Sequence, residues 1–171
     1  MDDTHRHLTA LGYAGAMLVP GNASLFDFYA RMGYRTCTSV RELTCPAAPA
    51  SDDHRTPAVT LHPVDIPTYA ALRRRYLPAD GVIQEGENLT FLCTMATFYT
   101  GDGFLLAARP EGKILRGIEL LGDQTAAPRI VRALGCETGT LRTPGADTPF
   151  AMFLPLRADT PAPAYFGLAF D

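Results

Sequence analysis

The chain has 171 residues, of which 47% are apolar and 19% are charged, and its formal net charge is −3 at pH 7. This length and apolar content predict one domain, or one domain and part of another, with a sizeable core. The acidic balance argues against a nucleic-acid partner, which would select a basic face. No apolar run approaches the roughly 18 residues that cross a bilayer, and the acidic start MDDTHRHL differs from a signal peptide, so we expect a cytoplasmic protein.

Cysteines and histidines show no pattern of metal ligands. The cysteines are Cys37, Cys45, Cys93 and Cys136. They lack a CxxC motif and Cys/His ligand spacing, which predicts four reduced thiols, buried or half-buried. His5 and His7 lie close to the first residue, and we expect them to be exposed rather than to bind a metal.

The first 43 residues predict the order helix, strand, helix, strand. Helix-forming residues run from 2 to 11 and stop at Gly12, a residue type common just past a helix end. The apolar segment GAMLVP at 15–20 is too short for a helix and predicts a strand. The segment YRTCTSVREL at 34–43 is rich in β-branched and aromatic residues and predicts another strand.

The second of these helices carries an aromatic face. Asn22 stands where its side-chain oxygen can accept from the free N–H groups of a first turn, and Gly33 marks the end of the helix. Four residues between them recur at helical spacing and form one apolar face. They are Leu25, Phe28, Tyr29 and Met32.

A proline-rich segment separates these elements from the rest of the chain. CPAAPASDDHRTP, at 45–57, has no apolar periodicity and predicts a linker or long loop. We therefore expect one unit at 1–45, a linker at 46–57 and a second unit at 58–171.

The second unit predicts the order β-α-α-β-β-α-β-β-β. Its predicted strands are 58–64, 103–109, 113–122, 138–143, 149–156 and 164–170, and its predicted helices are 65–77, 85–101 and 123–135. Asp65 and Asp123 occupy N-cap positions, and Gly112 belongs to a predicted hairpin turn. The isolated basic run RRR at 73–75 predicts a solvated helix face.

One stretch of the first unit recurs in the second. ALGYAGAMLVPG at 10–21 resembles ALGCETGTLRTPG at 133–145. Each contains a helix end, a glycine, a short strand and Pro-Gly, which favours tandem related units. No aromatic helix follows the second copy, and the chain continues directly into a strand.

The motif N-x6-Y-x3-G-Y resembles the late motif of the GNAT (GCN5-related N-acetyltransferase) superfamily. Its residues here are Asn22, Tyr29, Gly33 and Tyr34. In that family an Asn opens the penultimate helix and a Tyr lies two turns along it. The strand before that helix splays from its neighbour to admit acetyl-CoA, and GAMLVP resembles that strand.

The resemblance implies an α/β fold with a mixed sheet. Residues 1–45 would be the last β-α-β of one acetyltransferase-type domain. Residues 58–171 resemble a degenerate second domain of the same family, by the order of their elements. Together they resemble the C-terminal portion of a tandem bacterial acetyltransferase, and the chain would be an N-terminally truncated piece of such a protein.

The same resemblance implies acyl transfer from acetyl-CoA to an amine, either a small-molecule amine or a protein N-terminus. Tyr29 would be the general acid that protonates the CoA thiolate, and Asn22, Leu18 and Val19 would lie beside the cofactor. The residues alone leave two other interpretations open. Tyr29 can be a core aromatic whose hydroxyl reaches a rim, and Asn22 can be a helix cap only.

The pyrophosphate loop of the family, Gln/Arg-x-x-Gly-x-Gly/Ala, has no match. At the equivalent junction, LLGDQTAAPRIV, Asp123 would repel a pyrophosphate and Pro128 removes an N–H group, which predicts an ordinary capped helix. Glu119 lies on the strand where some relatives carry a general base, and a partly exposed structural carboxylate is the other interpretation.

Because the pyrophosphate loop has no match, the resemblance does not imply that this chain is active by itself. The alternative to an acetyltransferase is a non-catalytic acetyltransferase-like domain that acts as a substrate-side or dimerisation module. Unpaired sheet edges seek partners, which favours a homodimer through residues 15–44.

Overall fold

The computed structural model describes residues 2–49 and 58–169 of the chain. Its helices are α1 (Asp2–Ala10), α2 (Ala23–Ala30), α3 (Ile66–Tyr76), α4 (Glu87–Leu92) and α5 (Ala127–Ala133), the last preceded by a 3₁₀ turn, Gln124–Ala126. Its strands are β1 (Gly15–Leu18), β2 (Arg35–Pro46), β3 (His62–Pro63), β4 (Thr97–Gly101), β5 (Phe104–Glu111), β6 (Ile114–Gly122), β7 (Thr138–Pro144) and β8 (Thr148–Pro155). The expected α/β class is confirmed.

The eight strands of the described residues form one mixed sheet in the order β1-β8-β2-β7-β6-β5-β4-β3. Neighbours are antiparallel except β6 and β7, which are parallel. β2 lies between β7 and β8, pairing with β7 through its second half and with β8 through its first half. Val40 marks the change, because it is opposite Pro144 on one side and Thr148 on the other.

The segment before the proline-rich stretch therefore shares a sheet with the segment after it. The division into units at 1–45, 46–57 and 58–171 stays a prediction. Residues 50–57 of the predicted linker lie outside the described residues. Just before them, Ala47 N–H donates to the Glu137 carbonyl and Ala48 N–H to the Pro128 carbonyl, each at 2.8 Å.

Apolar side chains pack on both faces of the sheet. One cluster joins the sheet to α3, α4 and the segment 165–169, and we call it the α3-side core. The other joins the sheet to α5. In β5, Leu105 and Ala107 belong to the first cluster, and Leu106 and Ala108 to the second. Because successive side chains of a strand point to opposite faces, this continuous apolar run is what a strand covered on both faces requires.

The predicted N-cap of α3 and the predicted glycines after α2 and α5 are confirmed. Asp65 precedes α3, and its carboxylate accepts from Thr68 N–H at 2.9 Å. Gly33 (φ 91°) follows α2 and Gly135 (φ 72°) follows α5, both in the left-handed region that favours glycine. The hairpin turn between β5 and β6 contains Gly112 at φ 62°.

The predicted helix at 85–101 is wrong beyond its first part. α4 ends at Leu92, and β4 begins at Thr97. Threonine and aromatic residues fill 97–100 and favour a strand over a helix. Phe98 is buried there, and its ring stacks on Tyr69 with 4.1 Å between centroids.

Two predicted strands are also wrong in extent. Of 58–64, only His62–Pro63 pair in the sheet, opposite Thr100 and Tyr99 of β4. The segment 164–170 is not a strand in its described part; it makes one isolated bridge, between Tyr165 and Gly81. Its apolar residues Leu168 and Ala169 are instead buried in the α3-side core, so burial rather than strand pairing explains this pattern.

Candidate functional site

The site residues predicted from the sequence, Leu18, Val19, Asn22 and Tyr29, lie on β1, on α2 and on the connection between them. β1 is the edge strand of the sheet, and its register with β8 runs from Gly15 opposite Pro155 to Leu18 opposite Met152. Its other edge has no strand beside it among the described residues. Leu18 and Val19 are half-buried, and Val19 packs against the α3-side core.

Asn22 is the N-cap of α2. Its backbone is extended (φ −159°, ψ 168°), and its Oδ1 accepts from Leu25 N–H at 3.3 Å and from the Ser24 hydroxyl at 2.7 Å. The side chain is exposed at the end of the edge strand. Capping therefore accounts for Asn22 by itself, and a role in binding a cofactor stays a prediction.

Tyr29 lies two turns further along α2, in a group of aromatic rings. Its ring makes edge contacts with Phe28 (5.2 Å between centroids) and with Tyr34 (5.9 Å). Tyr29 is half-buried, and no described residue hydrogen-bonds its hydroxyl. The apolar face of α2 is only partly covered, because Phe28 is 46% exposed.

Tyr34 and His5 complete this group. The Tyr34 ring is buried, and its hydroxyl lies 3.0 Å from His5 Nε2. Burial raises the pKa of Tyr34, and the neighbouring Tyr29 raises it further. The expectation that His5 is exposed is wrong, since it is half-buried against Tyr34. His5 lies on α1 and Tyr34 directly precedes β2, 29 positions later in the chain, and no local pattern in the sequence indicates that they meet.

A second polar group lies inside the α3-side core around Glu119. Glu119 of β6 is fully buried, and Arg73 of α3 is 2% exposed. Arg73 Nε donates to Glu119 Oε2 at 2.7 Å, and its Nη2 donates to Oε1 at 2.9 Å. Tyr69 donates to Oε2 at 3.2 Å and Tyr165 to Oε1 at 3.1 Å. Each carboxylate oxygen thus accepts two hydrogen bonds, and Glu119 has no free face on which to take a proton from a substrate.

The expected environments of Glu119 and Arg73 are corrected accordingly. Glu119 is structural, as one interpretation held, but it is buried rather than partly exposed. Arg73 is not solvated, whereas Arg74 and Arg75 are exposed. The spacing of Tyr69 and Arg73, four residues apart on one helix face, is the signal that could have shown this. Burial raises the pKa of Tyr69 well above its usual value, and the negative charge of Glu119 adds to the effect.

Strands β6 and β7 diverge next to this buried group. They pair from Ile114 opposite Thr138 to Gly117 opposite Leu141, and beyond those residues each pairs only with its other neighbour. The segment 165–168 lies against both strands beyond this point. Tyr165 donates to Glu119 of β6, and Arg142 of β7 donates to the Gly167 carbonyl at 3.4 Å.

The segment 165–168 is also fixed from its other side. Gln84 Nε2 donates to the Leu168 carbonyl at 2.9 Å, and Val82 N–H donates to the Tyr165 carbonyl at 2.8 Å. A Cβ atom on Gly167 would lie 2.8 Å from Glu119 Oε1, so the segment passes close to the carboxylate only because it has glycine there.

The fold resembles that of solved acetyltransferases. A GCN5-related N-acetyltransferase from Kribbella flavida superposes with a TM-score of 0.59 at 13% identity, covering 90% of this chain and 46% of that one. A conserved protein of unknown function from Enterococcus faecalis, described as a probable N-acyltransferase, gives 0.56 at 16% identity (90% and 48%). Eis1 from Mycobacterium abscessus gives 0.52 at 14% identity (90% and 50%).

The chain has the fold of the GCN5-related N-acetyltransferases. This GNAT fold confirms the fold implied by the motif at residues 22–34. The chain spans about half the length of the three structures. No protein-family model and no curated protein matches its sequence. The tandem arrangement and the degenerate second domain stay predictions.

Within this GNAT fold, the junction between β6 and α5 is an ordinary capped turn. Asp123 accepts from Thr125 N–H at 2.9 Å and from the Thr125 hydroxyl at 2.6 Å. These bonds, the largest cause being that from the Thr125 hydroxyl, lower the pKa of Asp123 and keep its carboxylate charged. A charged carboxylate at this position does not fit a pyrophosphate.

Residues 2–49 and 58–169 contain neither a cluster of potential metal ligands nor a candidate membrane span. No group of three or more His, Cys, Asp or Glu side chains there could hold a metal ion. No helix in these ranges has the length and apolar character to cross a membrane. The described cysteines are free thiols, and Cys93 is exposed, which corrects the expectation that all four are at least half-buried.

Proposed function

We propose that the protein is a bacterial, cytoplasmic GNAT-family N-acetyltransferase, or an N-terminally truncated part of one. It would transfer an acetyl group from acetyl-CoA to an amine, either a small molecule or a protein N-terminus. The observation that carries the proposal is the edge strand β1 leading into the capped helix α2, with Tyr29 two turns along it and its hydroxyl hydrogen-bonded by no described residue. The GNAT fold of the chain and the resemblance of residues 22–34 to the family motif support this assignment.

The residues of this unit fit the reactive end of the cofactor. The unpaired edge of β1 at Leu18, and Val19 after it, offer backbone groups to an extended ligand such as pantetheine. Asn22 would lie beside that arm. Tyr29 would hold a proton on its hydroxyl oxygen for a leaving thiolate. Acetyl-CoA, when bound, supplies the acetyl thioester.

The residues around Asp123 do not fit the pyrophosphate end. The carboxylate is charged and committed to Thr125, and α5 is only seven residues long. We therefore assign the proposed acyl transfer to the unit at 1–45 and treat 58–171, after the linker at 46–57, as a degenerate domain that binds no acetyl-CoA.

The proposal is tested by calorimetry with acetyl-CoA and by a CoA-release assay with a panel of primary amines. Tyr29→Phe should leave acetyl-CoA affinity unchanged and lower kcat by about 100-fold, since loss of a general acid removes a rate factor of that order. Tyr13→Phe is the control, because Tyr13 is an exposed tyrosine of the same unit. No binding heat at millimolar acetyl-CoA would exclude catalysis by this chain.

One observation favours a second candidate, a non-catalytic acetyltransferase-like module. Where β6 and β7 diverge, the chain's own segment 165–168 lies against both strands, and Glu119 is fully hydrogen-bonded. Such a module would act beside a substrate or form a homodimer through residues 15–44, whose edge strand is open. Analytical ultracentrifugation tests this: a monomer over the micromolar range would exclude the homodimer.

A further inference from the structure

A cavity of about 290 Å³ opens on the central strands of the sheet. Its walls come from four neighbouring strands: β2, β7, β6 and β5. Arg109 lies opposite Arg116, and Arg116 lies opposite Thr140, so the three side chains form one row across the sheet. Arg109 follows Ala107 by two residues and so shares the face of the α3-side core.

Two positive charges face each other in this row. Like charges directly opposite on neighbouring strands destabilise a sheet. Glu111 compensates in part, because it lies 2.7 Å from Arg109 Nε and 3.9 Å from Arg116 Nε. All three side chains are at least 40% exposed, and ion pairs at such exposure contribute little. Folding stability therefore gives no reason for Arg109 opposite Arg116.

A third guanidinium group is held beside the row by its own contacts. Arg142 lies with its guanidinium carbon 4.5 Å from the centroid of the Phe150 ring, and its Nη1 donates to the Gly167 carbonyl. These contacts fix the group before any ligand arrives. Glu42, opposite Arg142 on β2, is the one carboxylate among the lining residues. With Glu111, which pairs with Arg109 and Arg116, the described residues place three guanidinium groups against two carboxylates at the cavity.

We propose that this cavity binds a small oxyanion, the phosphate or carboxylate group of a metabolite. Planar guanidinium groups donate pairs of N–H bonds that match oxyanion geometry, and the Thr140 hydroxyl can donate another. The volume is at the small end of the range for ligand pockets, which suits a compact anion rather than a whole nucleotide cofactor. β8 lies between the walls of this cavity and β1, and no residue of the β1–α2 unit lines the cavity, so the proposal stands independently of acetyl transfer.

The test is a titration of the 171-residue chain with inorganic phosphate and, separately, with citrate, at ionic strength held constant with sodium chloride. Amide NMR shifts of residues 109, 116, 140 and 142 report binding. We expect saturable shifts there, and the two titrations distinguish a phosphate from a carboxylate ligand. Arg109→Gln/Arg116→Gln should weaken binding at least about tenfold, since a charge-assisted hydrogen bond is worth that factor or more. Arg75→Gln is the matched control, because Arg75 is an exposed arginine of α3 outside the cavity, and this variant should bind as wild type.

Thermal unfolding gives a second measurement. Without added anion, Arg116→Gln should unfold at the same temperature as wild type or above it, because it relieves the repulsion from Arg109. Phosphate or citrate should raise the unfolding temperature of wild type more than that of the variant. Absence of saturable shifts at millimolar anion, or equal affinity in the double variant, would overturn the proposal. So would a marked loss of stability in Arg116→Gln, which would mean that the row is structural.

Discussion

Arg73 and Glu119 meet across 46 positions of sequence, in an environment from which water is excluded. Bringing two charges out of water is costly, and the cost is offset only when every donor and acceptor finds a partner. Here Tyr69 and Tyr165 supply the remaining bonds to the carboxylate, and Arg73 Nη1 donates to the Val82 carbonyl at 2.9 Å. The group joins α3, β6 and the segment 165–169. All of its hydrogen bonds can therefore form only when these three are packed in this arrangement.

Glu119→Gln should destabilise the protein severely. The substitution leaves the buried guanidinium of Arg73 without a counter-charge, and breaking such a pair costs about 3–5 kcal/mol. Urea unfolding followed by circular dichroism measures the change in the free energy of unfolding. Glu85→Gln is the matched control, because Glu85 pairs with exposed Arg74 and its loss should cost about 1 kcal/mol or less. Similar losses in the two variants would contradict a special role for the buried pair.

Residue patterns predicted the surface ends of helices better than the buried polar group. Asn22 and Asp65 act on N–H groups within three residues of themselves, so short motifs identify them. Arg73 sits in a basic run that ordinarily faces water, and its partner is remote in sequence. The four-residue spacing places Tyr69 and Arg73 on one helix face, but only the packing of α3 against β6 decides that this face is buried.

At the scale of elements, the segment 165–169 was predicted to be a strand, but it lies against the sheet without pairing as one. Tyr165, Leu168 and Ala169 are buried, and the backbone bonds go to Gln84 and Val82 rather than along a ladder. The segment thereby covers the sheet where β6 and β7 diverge. Its path depends on Gly167, whose missing side chain leaves room for the Tyr165 ring and the Glu119 carboxylate.

Gly167→Ala should therefore detach this segment or strain the core. An added methyl group meets Glu119 and Tyr165, and overpacking of this kind costs about 1–3 kcal/mol. Gly21→Ala is the control, because a Cβ there meets no atom within 4 Å and the backbone is not left-handed. Hydrogen exchange of the Val82 amide, which donates to Tyr165, should accelerate in Gly167→Ala alone. Unchanged protection of that amide would show that the segment accommodates the methyl group.

At the scale of the whole molecule, the position of β2 could not be predicted from the sequence. The strand itself was predicted from its β-branched residues, and the GNAT resemblance implied the sheet. Its insertion between β7 and β8 depends on pairs about 100 residues apart, such as Val40 with Pro144 and Thr148. Local patterns specify the elements, whereas long-range pairing specifies the order of the strands in the sheet. The proline-rich segment at 46–57 did not indicate that the strand before it pairs with strands after it.

This topology leads to a prediction about the chain as a unit. β7 and β8 are joined laterally only through β2 in the described sheet, so 58–171 without 1–46 would expose an edge on each of them. A protease site inserted at 50–57 should give two pieces that stay associated after cleavage, because β2 is paired along both edges. Size-exclusion chromatography should show one peak containing both pieces, and 58–171 expressed alone should lack a cooperative thermal transition. If the isolated 58–171 piece unfolds cooperatively at the wild-type temperature, the second unit is an autonomous domain and β2 is only an added strand.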